Sequence, residues 1–189
     1  MNNIVKRSDV VAFYGVPGES GVTYHRMRGF TEFSLSKNPK EYSRQYVDEA
    51  FERSDVVGYS PSISYGFDYM RNNAVHQDIV EITDQEKTGS DTAREIVIVD
   101  LSTKEAKKRS FTIIPDSEGG SLDAYTYSGS LKASGTVVFG TANYDEETET
   151  ITFTEGNSWR EDSGAEPALI DEDEEGAEAE PDEEEPTAE

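Results

Sequence analysis

The stretch Ser62-Ile63-Ser64-Tyr65-Gly66-Phe67-Asp68-Tyr69-Met70 decides the fold class. Ile63, Tyr65, Phe67 and Tyr69 take every second position, and Ser62, Ser64, Gly66 and Asp68 fill the places between them. Successive side chains of a strand point to opposite faces, so this spacing predicts a strand with one apolar and one wet face. Its aromatic and β-branched residues suit a half-buried pleated surface.

Working outward, strand signals recur downstream. Ile96-Val97-Ile98-Val99 is a continuous apolar run, the pattern of a strand covered on both faces. Residues 111–114 are expected to pair with it across a polar turn at 102–107, with Pro115 ending that strand. Residues 124–133 and 136–144 form two further runs meeting around Gly135, and 148–154 a last one after the turn Asp145-Glu146-Glu147. Their order predicts sequential antiparallel hairpins. One helix interrupts the series at 73–87, where Val75, Ile79 and Ile82 share a face and Gln77, Glu81, Asp84 and Gln85 stay wet. Asn73 is expected to cap its start and Gly89 its end. The chain reads as a mainly β sandwich or barrel with a helix laid against one side.

Upstream, residues 40–59 differ in kind. Tyr42, Tyr46, Val47, Phe51, Val56 and Val57 are strand formers, yet Glu41, Arg44, Asp48, Glu49, Glu52, Arg53 and Asp55 run among them. A two-stranded ribbon is marginal alone in water, so a charged hairpin projecting from a core needs a surface to lie on; an ordinary edge hairpin is the alternative.

The 189 residues suffice for one domain, expected over 1–159, followed by a tail at 160–189. Net charge is −23, and all 15 charged residues between Glu161 and Glu189 are acidic, so taking 15 from 23 leaves residues 1–160 at −8. The tail has almost no large apolar side chain and is expected to be disordered. Such a charge balance repels phosphate and excludes binding nucleic acid by charge neutralisation. With no cysteine, disulfides, thiolate metal sites and cysteine nucleophiles are excluded. The apolar run at 10–14 is too short for a signal peptide, and no stretch has the length to span a bilayer, so a soluble, cytosol-made protein is expected.

No catalytic constellation emerges, and no enzyme activity or cofactor is expected. The glycines of 15–21 lack the lysine and hydroxyl of a phosphate loop, and Glu19 would repel an anion; a loop joining strands is expected there. His25 and His76 lie in unrelated contexts, and Gly58-Tyr59-Ser60-Pro61-Ser62 lacks the second glycine of a nucleophile elbow. Asp171 to Asp182 imitates a calcium loop, but Glu175 holds the fifth position, Asp182 the twelfth, and Pro167 and Pro181 flank it, so solvated charge is the reading and no metal site is assigned. Lys104, Lys107, Lys108 and Arg109 form a basic cluster that would meet carboxylates within the chain or on a neighbour.

Several strings, in their order and spacing, resemble the major tail tube proteins of long-tailed bacteriophages. They are Asn38-Pro39-Lys40-Glu41-Tyr42, Arg44-Gln45-Tyr46-Val47-Asp48-Glu49 and Gly58-Tyr59-Ser60-Pro61-Ser62-Ile63-Ser64-Tyr65. Asn73-Ala74-Val75, Ile114-Pro115-Asp116-Ser117-Glu118 and Asp123-Ala124-Tyr125-Thr126-Tyr127-Ser128-Gly129 continue the series, which covers most of 25–155. The resemblance implies a two-sheet antiparallel β-sandwich with one flanking helix, in hexameric rings stacked into a virion tail tube. One sheet of each subunit would join its neighbours around a lumen that holds tape measure protein and later passes double-stranded DNA without specific binding, an acidic wall repelling phosphate. Tail tip and tail terminator proteins would be the other partners, with no membrane involved and synthesis in the host cytoplasm.

On that reading the projecting segment supplies subunit contacts through Lys40, Tyr42, Arg44, Tyr46, Asp48, Glu49, Phe51, Arg53 and Asp55, with Lys104, Lys107, Lys108 and Arg109 as further interface candidates. The acidic tail departs from the resemblance. As a coil of about 30 residues it would span roughly 30 Å and clog a channel, so it is expected outside the tube. The inner tube of a contractile tail or injection particle would share these features. A cytosolic β-sandwich binding module whose tail engages a basic partner is the alternative of a different class.

Overall fold

The structure, a computed structural model, describes residues 4–19, 21–120 and 122–156. Within them lie eleven strands and one α-helix: β1 (Val10–Gly18), β2 (Gly21–Arg26), β3 (Phe30–Ser36), β4 (Pro39–Arg44), β5 (Arg53–Tyr59), β6 (Ser62–Asp68), α1 (Ala74–Asp84), β7 (Ala93–Asp100), β8 (Glu105–Gly120), β9 (Tyr125–Ala133), β10 (Val138–Asp145) and β11 (Thr150–Glu155). The acidic tail lies outside the described residues.

Nine strands are hydrogen-bonded in the order β10-β11-β2-β1-β7-β8-β9-β6-β3, and every pairing is antiparallel. Strand β10 also pairs with β8, which closes β8-β7-β1-β2-β11-β10 into a small barrel. The far half of β8 continues outward as one edge of a four-stranded sheet, β8-β9-β6-β3. The two layers of the sandwich are thus one strand network joined along β8.

Two apolar cores follow from this closure. Val11, Phe13, Val97, Val99, Ala106, Ala142 and Ile151 fill the barrel. Tyr14, Ile63, Tyr65, Phe67, Val75, Ile79, Ile82, Ile96, Phe111, Ile113, Tyr127 and Leu131 fill the space between the barrel wall, α1 and the outer sheet. Phe13 and Tyr14 are both fully buried because alternate residues of β1 enter different cores. Ile96 and Val97 divide in the same way, which is why that run is apolar throughout.

Four local expectations about the strands are corrected. Strand β8 runs through Pro115, which stays in register opposite Gly129, and the register shift between Pro115 and Ser117 leaves Asp116 as the extra, bulged residue. Gly129 has no room for a side chain: a Cβ would lie 2.6 Å from both the Ile114 carbonyl and the Tyr65 hydroxyl. The expected turn at 102–107 is shorter, because β8 begins at Glu105 and Lys104 makes the turn with φ 63°. Strands β9 and β10 do not form a hairpin around Gly135; both lie along β8, β10 at residues 105–108 and β9 at 111–120. The expected loop at 15–21 is mostly strand too, since β1 continues to Gly18 and pairs with β2 through Gly18 and Gly21.

Helix α1 starts where Asn73 Oδ1 accepts from Val75 N at 3.0 Å and His76 N at 3.3 Å. Its end falls short of 87. Glu86 turns left-handed at φ 49°, with Glu86 N bonding Thr83 O and Lys87 N bonding Ile82 O. Gly89 instead opens a short 3₁₀ turn, Gly89–Thr92.

The helix is held to the sheet by charge as well as by its apolar stripe. Arg94 of β7 grips Asp78 bidentately, at 2.7 Å from Nε and 2.9 Å from Nη2, and the Tyr14 hydroxyl donates to the same carboxylate. The Arg94 and Asp78 side chains are 9% and 12% exposed. Removing one partner of a buried pair strands the other, so Asp78→Ala is expected to cost about 3–5 kcal/mol in urea unfolding. Burial, and then the Asp78 charge, raise the Tyr14 pKa well above the ordinary tyrosine value. The folded state therefore keeps a proton that the unfolded chain releases. This contribution is complete below about pH 10 and is lost progressively above it, and Tyr14→Phe is expected to flatten the decline in alkaline unfolding curves.

Candidate assembly surfaces

Among the described residues, strands β4 and β5 form a two-stranded sheet of their own, paired only with each other. At its root Asn38 takes a left-handed φ of 45°, and its Nδ2 donates to Ser60 O and Ser62 Oγ, both at 3.0 Å. That clamp ties the ribbon to the start of β6. In its register Tyr42 faces Asp55, Ser43 faces Ser54, and Arg44 faces Arg53.

Opposed like charges are unfavourable, and neighbours offset this pair. The Arg44 guanidinium lies 4.9 Å over the Tyr46 ring and 5.4 Å over that of Tyr42, and Arg53 lies 5.9 Å over Tyr46 while pairing with Glu49. Gln45 Nε2 donates to Glu49 O at 3.1 Å, fixing the tip. Lys40 and Asp48 are exposed. Phe51 is 83% exposed and Val57 64%, with Val47 and Val56 also bare.

The basic cluster does not stay together. Lys104 sits in the turn, and the three residues after Ala106 alternate across β8. Lys108 faces the barrel end, with Nζ 3.2 Å from Glu95 Oε1 and 5.2 Å over the Phe153 ring. Glu95 also accepts from the Tyr24 hydroxyl, and burial followed by that hydrogen bond raises the Tyr24 pKa. Lys107 and Arg109 turn the other way, into a groove of about 280 Å³ that they share with Lys37. Lys37 and Phe139, which complete this groove, carry no sequence signal of their own because four separate strands and their flanks bring the lining together.

The sheet β8-β9-β6-β3 presents its second face away from the core. Since Ile63, Tyr65 and Phe67 point inward, Ser62 and Ser64 point outward, and the register aligns them with Ser34, Ser36 and Ser130. Ser117 and Ser128 bridge at 2.8 Å. Glu32, Asp68 and Lys132 are the charged residues in those rows. The sheet face is mostly small hydroxyls, with Ile114, opposite Ser130, as its exposed apolar member, and the polar half of the strand alternation was its sequence signal.

The histidines have no shared site: His25 lies on β2 and His76 is buried on α1. His76 stacks on Phe67 at 4.2 Å, accepts from Met70 N at Nδ1, and places Nε2 2.9 Å from the Arg28 carbonyl. Burial lowers its pKa. Among the described residues no acidic or histidine cluster is placed to hold a metal, and no helix is long and apolar enough to cross a membrane.

No family model and no curated protein matches the chain in sequence. Solved structures do match it in fold. A chain from the tail of an empty gene transfer agent particle, refined helically with C6 symmetry, superposes with a TM-score of 0.56 at 12% identity, over 72% of this chain and 98% of that one. A chain from the virion of a native gene transfer agent particle gives 0.52 at 13% identity, again over 72% and 98%. The chain therefore has the fold of these particle components.

The ribbon's internal contacts predict a separable element. Tyr46→Ala removes the ring shared by Arg44 and Arg53. Amide exchange in β4 and β5 is expected to accelerate by roughly fivefold, the effect of about 1 kcal/mol, while the melting temperature of the body stays put.

Proposed function

We propose that the chain is the structural subunit of a phage-type virion tail tube, forming hexameric rings that stack. The observation that carries the reading is the isolated β4–β5 ribbon on a fold shared with a C6-symmetric tail particle. Exposed Phe51, Val47, Val56 and Val57 find no cover on their own body, as suits a segment lying on an adjacent subunit. The outer sheet supports ring closure: among the described residues, β3 is a free edge at one side, and residues 113–120 of β8 lack a partner on the side away from β9. Pairing such edges between subunits would remove them from solvent. The serine face would then line the lumen, where its small hydroxyls give DNA and tape measure protein little to hold, Lys132 and Ile114 being the cationic and apolar exceptions. Tail tip and terminator proteins would meet the end rings.

Negative-stain microscopy and light scattering of concentrated protein test this: rings or tubes are expected, and a strict monomer would favour a binding module. Replacing residues 39–59 by a short Gly-Ser turn is expected to leave a folded monomer that builds no tubes. An unfolded product would place the ribbon in the core, and normal tubes would remove its role. Deleting 161–189 removes 15 like charges per subunit, so assembly of the truncated chain is expected to depend less on salt than that of the full chain.

A further inference from the structure

The groove beside β8 is more apolar than a free surface requires. Leu35, Pro61, Ile96, Ile98, Phe111 and Phe139 line it, and Lys37, Lys107 and Arg109 supply three cations. Arg109 Nε is buried and finds no hydrogen-bond partner among the described residues. Burial, and then the charge of Lys37, lower the Lys107 pKa, so positive charge is crowded here.

Strand β11 ends at the rim of this groove. Gly156 N donates to the carbonyl of Phe139 at 3.2 Å, and Phe139 is paired directly with Lys107. The sequence then reads Asn157-Ser158-Trp159-Arg160-Glu161-Asp162. Three residues of chain reach roughly 10 Å, enough to carry the only tryptophan from Gly156 into the groove.

We propose that Trp159 of the same chain docks in this groove, with Glu161 and Asp162 against the cations of its rim. An indole supplies a large apolar surface with a polar N–H, which suits a slot that is greasy along its floor and charged at its edge. The two carboxylates complement Lys37, Lys107 and Arg109, and leave the rest of the acidic tail to start from a fixed point on the surface. This inference is independent of the tube reading, since it concerns one subunit only.

The single tryptophan makes the test direct. Acrylamide quenching of Trp159 fluorescence is measured on the full chain, at concentrations where light scattering reports a monomer. A blue-shifted, protected indole is expected, and Lys107→Glu and Lys37→Glu should each lower the docked-to-free ratio by roughly tenfold, the effect of about 1.4 kcal/mol. Because Lys107 lies on a core strand, Lys37→Glu beyond the end of β3 guards against misfolding. Restored protection in Lys37→Glu combined with Glu161→Lys would support direct pairing. An indole quenched like a free tryptophan derivative in the wild type would overturn the proposal. So would protection that appears only when rings form, which would assign the groove to a neighbour's tail.

Discussion

Strand β8 hydrogen-bonds three other strands because its sixteen residues outrun any single partner: β7 and β10 flank its first half, and β9 takes over along its second. The barrel and the outer sheet exist as separate layers only because this one strand belongs to both. Its demands are steric. Where β10 and β7 converge on it, Ala106 is fully buried, and Gly140 beside it has no space for a side chain, since a Cβ would fall 2.1 Å from the Thr154 carbonyl. Further along, Pro115 and the shift before Ser117 bend the strand, and Gly129 gives way opposite. A bulge that re-aims a strand between layers is a more economical device than a chain break, because the ladder resumes at Ser117.

The second constraint is the charge buried between α1 and the sheet. Apolar packing alone would let a helix of eleven residues slide or rotate over a smooth wall. The fork of Arg94 on Asp78, completed by Tyr14, admits one position. Arg94 also donates from Nη1 to the carbonyls of Asp91 and Ala93, so each guanidinium nitrogen has a partner and the side chain ties the 3₁₀ turn to the start of β7. Such a pair is weak evidence for net stability, but it specifies where the helix sits.

What was legible in the sequence was whatever one element states by itself. The alternation of β6, the double-sided run of β7, the stripe of α1 and its Asn73 cap are local patterns, and each stands in the structure. What was not legible depends on which elements meet. Pro115 reads locally as a strand end, and only the partner strand shows the ladder running on, with Gly129 opposite the proline and the bulge at Asp116. Residues 124–144 read as a hairpin because adjacency in sequence suggests pairing, whereas β8 is long enough to host both strands end to end. Lys107, Lys108 and Arg109 read as one patch because the pleat is invisible in composition; along a strand they alternate, so Lys108 meets Glu95 while its neighbours enter a groove. The serine wall was legible residue by residue, but its continuity across β3, β6 and β9 needed the register.

The ribbon and the body obey different economies of burial, and this bears on how an assembly would grow. The body packs around two cores and, among the described residues, leaves open the β3 edge and the distal β8 edge of its outer sheet. The ribbon keeps its shape with cation–π and ion-pair contacts that survive in water, and so holds its apolar residues out as a pre-formed strip. Pre-organisation lowers the ordering cost of association, which for a floppy segment would consume much of the gain. Burying one large side chain such as Phe51 yields about 2 kcal/mol, too little to hold two subunits together alone. In a symmetric ring the same contact repeats around the axis, and the copies engage together once one is seated. On the proposed tube reading, a weak strip on each subunit would disfavour stray dimers while favouring the addition of whole rings. That is the balance required of a tube that must stay unassembled in dilute solution and become rigid once it has started to grow.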